Sequence, residues 1–369
     1  MLHRLFLLVA FLPGLALTAC VVNPVPTPSA PAAATGNVDT NARVQGAKDG
    51  GVAGGADASA DANAFDHAAT DATAAADAAQ ADVAPQVPTV LPFAPSATDP
   101  GMTPGPPHQA VRVSGPLPSG RLVLFMAGTA SQPAHYGLLL AEAARMGHLV
   151  LGLSYPNGEA VGTLCGDDLA CYEPVRHELL DGVDRTGKVT VKYADGIENR
   201  LIKALLWLEQ NDPGHGWGNF LQSGKPQWQD IVAAGLSQGA GQAAFIGKLY
   251  PVAKVAMLSG VVDGSSKGPA FWVTNNHATP TAKYAGFAHV DDALWPRIHA
   301  NWTALGMGSK GTWFDVDEAK LPYPPGTAQL TSDLPLQAPH AATGADAATP
   351  KDAGGEPRYR HAWRHLLSP

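Results

Sequence analysis

Cysteine is scarce in this 369-residue chain, with only Cys20, Cys165 and Cys171. A structural zinc site needs about four ligands, and only His177 lies close to the later cysteine pair. No metal site is expected. Long apolar runs are also missing. The longest, Leu5–Leu17, is too short to span a bilayer as a stable helix. Clustered basic charge is absent: 24 Lys and Arg stand against 32 Asp and Glu, net −8. With no basic patch, nucleic acid is not an expected partner. No internal repeat is evident, and residues 21 to about 110 hold few large apolar side chains. That stretch has too little to bury to offset the entropy of ordering it.

The chain begins with the pattern of an export signal. Arg4 supplies positive charge, Leu5–Leu17 an apolar segment, and Leu17-Thr18-Ala19-Cys20 a small-residue cleavage site. This tetrapeptide resembles a bacterial lipobox. The resemblance implies removal of residues 1–19 and lipidation of Cys20, a membrane anchor in the bacterial cell envelope. Val21, where an aspartate would retain the protein at the inner membrane, points to the outer membrane.

Residues 20–110 read as a disordered tether. Pro24, Pro26, Pro28 and Pro31 stiffen its start, an Ala/Asp/Gly tract runs to about Asp82, and proline returns from Pro85 to Pro107. Residues 21–110 hold nine Asp against Arg43 and Lys48, net −7. Residues 111–369 hold 21 basic and 23 acidic side chains, near −2, so the acidity belongs to the tether. All eight Trp fall in 111–369, long enough for one sizeable α/β core. With Cys20 taken by lipid, Cys165 and Cys171 remain to form a disulfide after export.

Within this domain the strongest local pattern is Asp230–Tyr250. Ile231–Ala234 predicts a short buried strand, Gly235-Leu236-Ser237-Gln238-Gly239 a G-x-S-x-G turn, and Ala240–Tyr250 a helix. A serine on such a turn holds its hydroxyl clear of the sheet, and the flanking glycines avoid collisions with neighbouring backbone. The turn looks like the nucleophile elbow of an α/β-hydrolase.

The other elements place Ser237 in a parallel sheet. Arg121–Met126 and His148–Ser154 read as strands joined by a helix over Tyr136–Met146. The Gly128-Thr129 loop after the first strand supplies one candidate oxyanion donor, the Thr129 N–H, and the residue after the serine, Gln238, supplies the other. Residues 162–196 are irregular, with a hairpin expected at Lys188–Tyr193. Asp195–Gln210 is a helix whose Ile197, Leu201, Ala204, Leu205 and Leu208 recur at helical spacing. Lys254–Leu258 and Lys283–His289 are further strands, Arg297–Gly306 a helix and Thr327–Thr331 the last strand. A long polar loop runs from Ser332 to Pro357, and a helix covers Tyr359–Leu367.

The order Ser…Asp…His along the chain then fixes the remaining candidates. Asp291 and Asp292 follow a late strand, with Asp263 the rival one strand earlier. Neighbours on an extended chain face opposite ways, so one of Asp291 and Asp292 can point at a histidine. His340 lies in the loop after the last strand, whereas His361 and His365 lie on the final helix, where a packing or capping role is more natural.

LVLFMAGTASQPAHY, HLVLGLSYPN, GLSQGAG, FAHVDDALWPRIHANWTALGM and HAATGADAATPKDAGGEPRYRHAWRHLL together resemble a bacterial family of secreted α/β-hydrolase-fold proteins. The likeness covers nearly all of 111–369. It implies a mostly parallel sheet flanked by helices, with Ser237 as nucleophile, His340 as base and Asp292 as acid. One departure is Ala127, which stands where the family often has proline before Gly-Thr. The family is known mostly by fold and lacks well-defined substrates; the leading expectation from the three candidates is a serine hydrolase of a small-molecule or polymeric ester, without a cofactor. Acyl transfer, polyester depolymerisation and an inactive envelope-tethered binding lipoprotein are the alternatives.

Overall fold

The computed structural model describes residues 87–115, 120–310, 313–317 and 322–369. The signal segment 1–19, Cys20 and most of the expected tether lie outside the described residues. Nine strands form one sheet: β1 (Thr89–Phe93), β2 (His108–Arg112), β3 (Leu122–Met126), β4 (Leu149–Leu153), β5 (Ile231–Leu236), β6 (Lys254–Leu258), β7 (Tyr284–His289), β8 (Phe314–Asp315) and β9 (Gln329–Ser332). Their order is β1-β2-β4-β3-β5-β6-β7-β9-β8. Every pair from β4 to β8 is parallel, while β2 runs antiparallel to both β1 and β4.

The central strands are apolar throughout because both faces are covered. On β3, Leu122, Leu124 and Met126 join one core cluster and Val123 and Phe125 the other, the alternation a pleated strand imposes. β5 divides likewise, Ile231 and Ala233 against Val232, Ala234 and Leu236. Helices α1 (Gly137–Arg145) and α8 (Arg360–Leu367) cover one face. The opposite face carries α3 (Tyr172–Asp181), α4 (Ile197–Asn211) and α5 (Gln238–Leu249). The apolar stripe read on α4 is buried in full, with Ile197, Leu201, Ala204, Leu205 and Leu208 each at 0% exposure. Three further helices, α2 (Val161–Cys165), α6 (Trp295–Ala304) and α7 (Pro339–Ala342), follow strand ends.

Two expectations are corrected. The folded domain does not begin at 111, because β1 and the first residues of β2 fall inside the span 20–110 assigned to the tether. His108–Arg112 adds an antiparallel strand to β4, and Thr89–Phe93 pairs with it in turn. Phe93 stacks on Trp207 of α4 at 4.4 Å between centroids, and Arg112 makes a two-pronged ion pair with Asp212, both bonds 2.7 Å. The partners of these short strands are distant in sequence, and the proline around them hides the pattern. The hairpin expected at Lys188–Tyr193 is also absent, since none of its residues is in a strand. Here a buried carboxylate replaces a ladder: Glu178 Oε2 accepts the N–H groups of Arg185 (3.1 Å) and Thr186 (3.2 Å), and Oε1 accepts that of Val191 (3.4 Å).

Cys165 and Cys171 are joined by a disulfide, Cα atoms 5.4 Å apart, linking the end of α2 to the start of α3. Among the described residues no helix is long and apolar enough to cross a membrane.

Candidate active site

Ser237 stands between the end of β5 and the start of α5 with φ 56° and ψ −113°. A non-glycine residue held there costs about 1–3 kcal/mol, which the surrounding packing must offset. Two glycines make the turn possible. A Cβ on Gly239 would lie 2.0 Å from the Met126 carbonyl oxygen, and one on Gly235 would lie 2.3 Å from the Gly239 carbonyl carbon. The strand, turn and helix therefore approach backbone to backbone. The Ser237 N–H donates to Leu258 O (2.8 Å) and Ser237 O accepts from the Gly241 N–H (3.1 Å), so the main chain at the serine is fixed from both sides.

His340 belongs to α7, in the segment expected to be an irregular polar loop. That segment is ordered by specific bonds. The Trp363 indole N–H donates to Thr343 O (2.7 Å), Thr343 and Ser259 share a hydroxyl bond of 2.8 Å, and Asp346 Oδ1 accepts from the Leu138 N–H (3.0 Å). Ser259 directly follows β6, so α7 is held at the C-terminal edge of the sheet, the edge that carries Ser237. The His340 Nδ1–H donates to Asp292 Oδ2 at 2.6 Å. That bond leaves Nε2 as the basic nitrogen. The other carboxylate oxygen, Asp292 Oδ1, accepts from the Leu294 N–H (2.9 Å). The Asp292 side chain is 1% exposed and that of His340 33%.

The rival residues make other contacts or face solvent. Asp263 is buried and accepts from Arg176 Nε (2.9 Å) and Nη2 (2.6 Å) and from the Trp272 indole (2.8 Å). Asp291 is exposed, and its N–H donates to His289 Nδ1 (3.1 Å). The His289 Nε2–H in turn donates to Leu334 O (2.7 Å), so this buried histidine fixes the turn that aims Asp292. His365 sits at the other edge of the sheet. Its Nε2–H donates to Thr327 O (2.7 Å), and its own carbonyl accepts from the Lys254 ammonium at the start of β6 (3.0 Å). His361 is bonded to its neighbour Arg360 at 3.5 Å, and burial lowers its basicity first, the Arg360 and Arg364 charges next. Among the described residues Ser237 and His340 form no hydrogen bond. Such bonds often tighten only when substrate arrives.

The loop after β3 is held by groups the sequence reading left unassigned. Gly128 O accepts from the Asn157 amide (2.6 Å) and the Ser131 N–H (3.1 Å), and the Ala130 N–H donates to Asn157 O (2.8 Å). The Tyr155 hydroxyl donates to Ala127 O (2.8 Å), and burial pushes its phenol pKa up so that it stays a donor. The Tyr136 hydroxyl accepts from the Gly128 N–H (3.2 Å). Neither the Thr129 nor the Gln238 N–H donates to a protein acceptor among the described residues. The two side chains meet, Thr129 Oγ1 donating to Gln238 Oε1 at 2.7 Å.

Arg176 of α3 was missed as well. Completely buried, it fills the space left by Gly241, where a Cβ would lie 2.1 Å from Nη2. Nη1 donates to Gln238 O (2.8 Å), tying the first residue of α5 to Asp263. A lone arginine on a half-polar helix gives no local signal for such a role. Beside the serine lies a cavity of about 390 Å³, lined among others by Thr129, Val161, Arg176, Gln238 and Arg297. A cavity of about 370 Å³ around His277 and Tyr284 lies at the start of β7, away from the serine.

No family model matches this chain, and no curated protein does. Among solved structures it is similar to a bacterial heroin esterase, at 13% identity and a TM-score of 0.34, covering 70% of this chain and 79% of that one. It is similar also to esterase B from Lactobacillus rhamnosis, at 13% identity and a TM-score of 0.40, covering 80% and 92%. The strand order, the antiparallel β2 and the serine turn after the central strand β5 make this the α/β-hydrolase fold.

Proposed function

We propose that this chain is a serine hydrolase of carboxylic esters. Ser237 attacks the ester carbonyl, His340 Nε2 takes the hydroxyl proton, and the Thr129 and Gln238 N–H groups receive the developing oxyanion. The alcohol leaves with the proton from His340. A water, deprotonated by the same nitrogen, then releases the acid from Ser237. Asp292 holds the imidazole in the tautomer that keeps Nε2 basic and stabilises the imidazolium formed in each step. No cofactor enters this sequence.

The observation that carries the reading is the buried Asp292 carboxylate bonded to a half-exposed His340 at the sheet edge of a strained Ser237. Labelling of the pure protein with a fluorophosphonate tests it. Wild type should label and Ser237→Ala should not. A wild-type protein that stays unlabelled while folded would favour an inactive binding scaffold. Acyl transfer to an acceptor other than water would show as ester consumption without equivalent free acid.

The lipobox-like Leu17–Cys20 supports a second part of the proposal, export and anchoring to the bacterial envelope through lipid on Cys20. Cys20→Ala should leave an unprocessed precursor and release the protein from the membrane fraction. Processing that is insensitive to globomycin would overturn this part.

A further inference from the structure

Three ionisable side chains line the cavity beside Ser237: Arg176, Asp263 and Arg297. The first two neutralise one another in a buried two-pronged pair. Arg297 has no ion-pair partner, and its guanidinium makes no hydrogen bond, among the described residues. It extends from the first turn of α6 across the start of α2, where Nη1 would lie 4.0 Å from a Cβ on Gly162. The cavity wall thus carries one uncompensated positive charge in a chain of net −8.

The position of that charge is set by the catalytic turn itself. Asp292 bonds His340, Leu294 donates its N–H to Asp292 Oδ1, and the Arg297 N–H donates to Leu294 O (3.0 Å). Leu294 and Arg297 both line the cavity. One short segment therefore orients the imidazole and presents a guanidinium to whatever occupies the space before Ser237. A guanidinium is always charged, and its planar fork matches a carboxylate with two parallel bonds. In a recess it gains more from an anion than it would on an open surface.

We propose that Arg297 is an anion-recognition residue and that the preferred substrates are esters bearing a carboxylate near the scissile carbonyl. This rests on the serine hydrolase reading given above. The cavity volume of about 390 Å³ suits a small ester of this kind, at the lower end of the range for small-molecule sites.

The test compares p-nitrophenyl butyrate with mono-p-nitrophenyl glutarate, which places the carboxylate on the acyl side. Phenyl acetate is compared in parallel with the acetate ester of 3-hydroxybenzoate, which places it on the alcohol side. Wild type should favour the anionic member of at least one pair roughly tenfold or more in kcat/KM, the scale of a bond to a charged group. Arg297→Ala should lower that ratio by the same factor through KM of the anionic ester, and Arg297→Lys should retain part of it. An absent preference in both pairs, or a ratio that Arg297→Ala leaves unchanged, overturns the proposal while the hydrolase reading stands. Calorimetric binding of monomethyl glutarate to Ser237→Ala separates the two claims. Binding that Arg297→Ala removes, together with a folded wild-type protein that a fluorophosphonate never labels, would overturn the hydrolase reading and keep the anion site.

Discussion

His340 and Asp292 are 48 residues apart in the chain and 2.6 Å apart at Nδ1 and Oδ2. The imidazole is half-open to solvent while the carboxylate is buried and satisfied at both oxygens. This pairing leaves Nε2 as the basic nitrogen, the role the proposed mechanism requires. His340→Ala should therefore lower kcat on p-nitrophenyl butyrate by on the order of 10³-fold or more, the scale of losing a triad member. His361→Ala should stay within a few-fold of wild type. The reverse pattern would move the base to α8.

The turn at Ser237 depends on the space left by its glycines. With a Cβ placed 2.0 Å from the Met126 carbonyl oxygen, Gly239→Ala forces β3 and α5 apart. A loss of more than about 4 kcal/mol is expected, visible as insoluble protein or a collapsed urea midpoint. Gly158→Ala meets nothing within 4 Å and serves as the control, with an unchanged midpoint.

The Arg176–Asp263 pair lies wholly inside the protein, each side chain 1% exposed. Removing one charge leaves the other buried and unpaired. Asp263→Asn should cost about 3–5 kcal/mol in urea unfolding, and the double variant Arg176→Met with Asp263→Asn should recover much of it. A double variant as unstable as the sum of the singles would show that shape, not charge pairing, matters here.

Stability should fall in mild acid. Burial, with a smaller contribution from Arg200, lowers the His108 pKa to about 3; burial and then Arg121 lower that of His148 to about 4. Both histidines are neutral when folded and take a proton more readily when unfolded. The unfolded chain thus binds the extra protons between pH 6.5 and the folded values. Across that window each pH unit of acidification costs about 1.4 kcal/mol per histidine. His108→Asn, which can keep an acceptor for the Ser154 N–H now bonded to Nδ1 at 3.0 Å, should flatten the pH dependence of the urea midpoint by about one proton. An unchanged slope would remove His108 as a source.

The strand–turn–helix at Ser237 was legible in the sequence because its causes are local. Gly235, Gly239 and the apolar run Ile231–Ala234 are contiguous, and each constrains its neighbours directly. The same holds for the stripe on α4, where a 3.6-residue period records a single buried face, and for the six-residue separation of Cys165 and Cys171. Sequence narrowed the acid to three aspartates, but adjacent residues such as Asp291 and Asp292 differ only in which way the chain turns. That turn is set by His289, whose two ring nitrogens bond Asp291 and Leu334. Arg176 and Arg297 were invisible for a related reason. Their roles depend on Asp263, Gly241 and the cavity wall, brought together from separate elements; the partners of Arg176 are 60 or more residues away in the chain. The strands β1 and β2 were hidden likewise, since their ladders join β2 to β4 across about 40 residues and a proline-rich stretch shows no period of its own. Local steric rules determined the turn, the helices and the central strands. Only the packed tertiary structure decided which carboxylate meets His340 and which cation lines the cavity beside Ser237, because long-range hydrogen bonds and burial are properties of the assembled sheet edge.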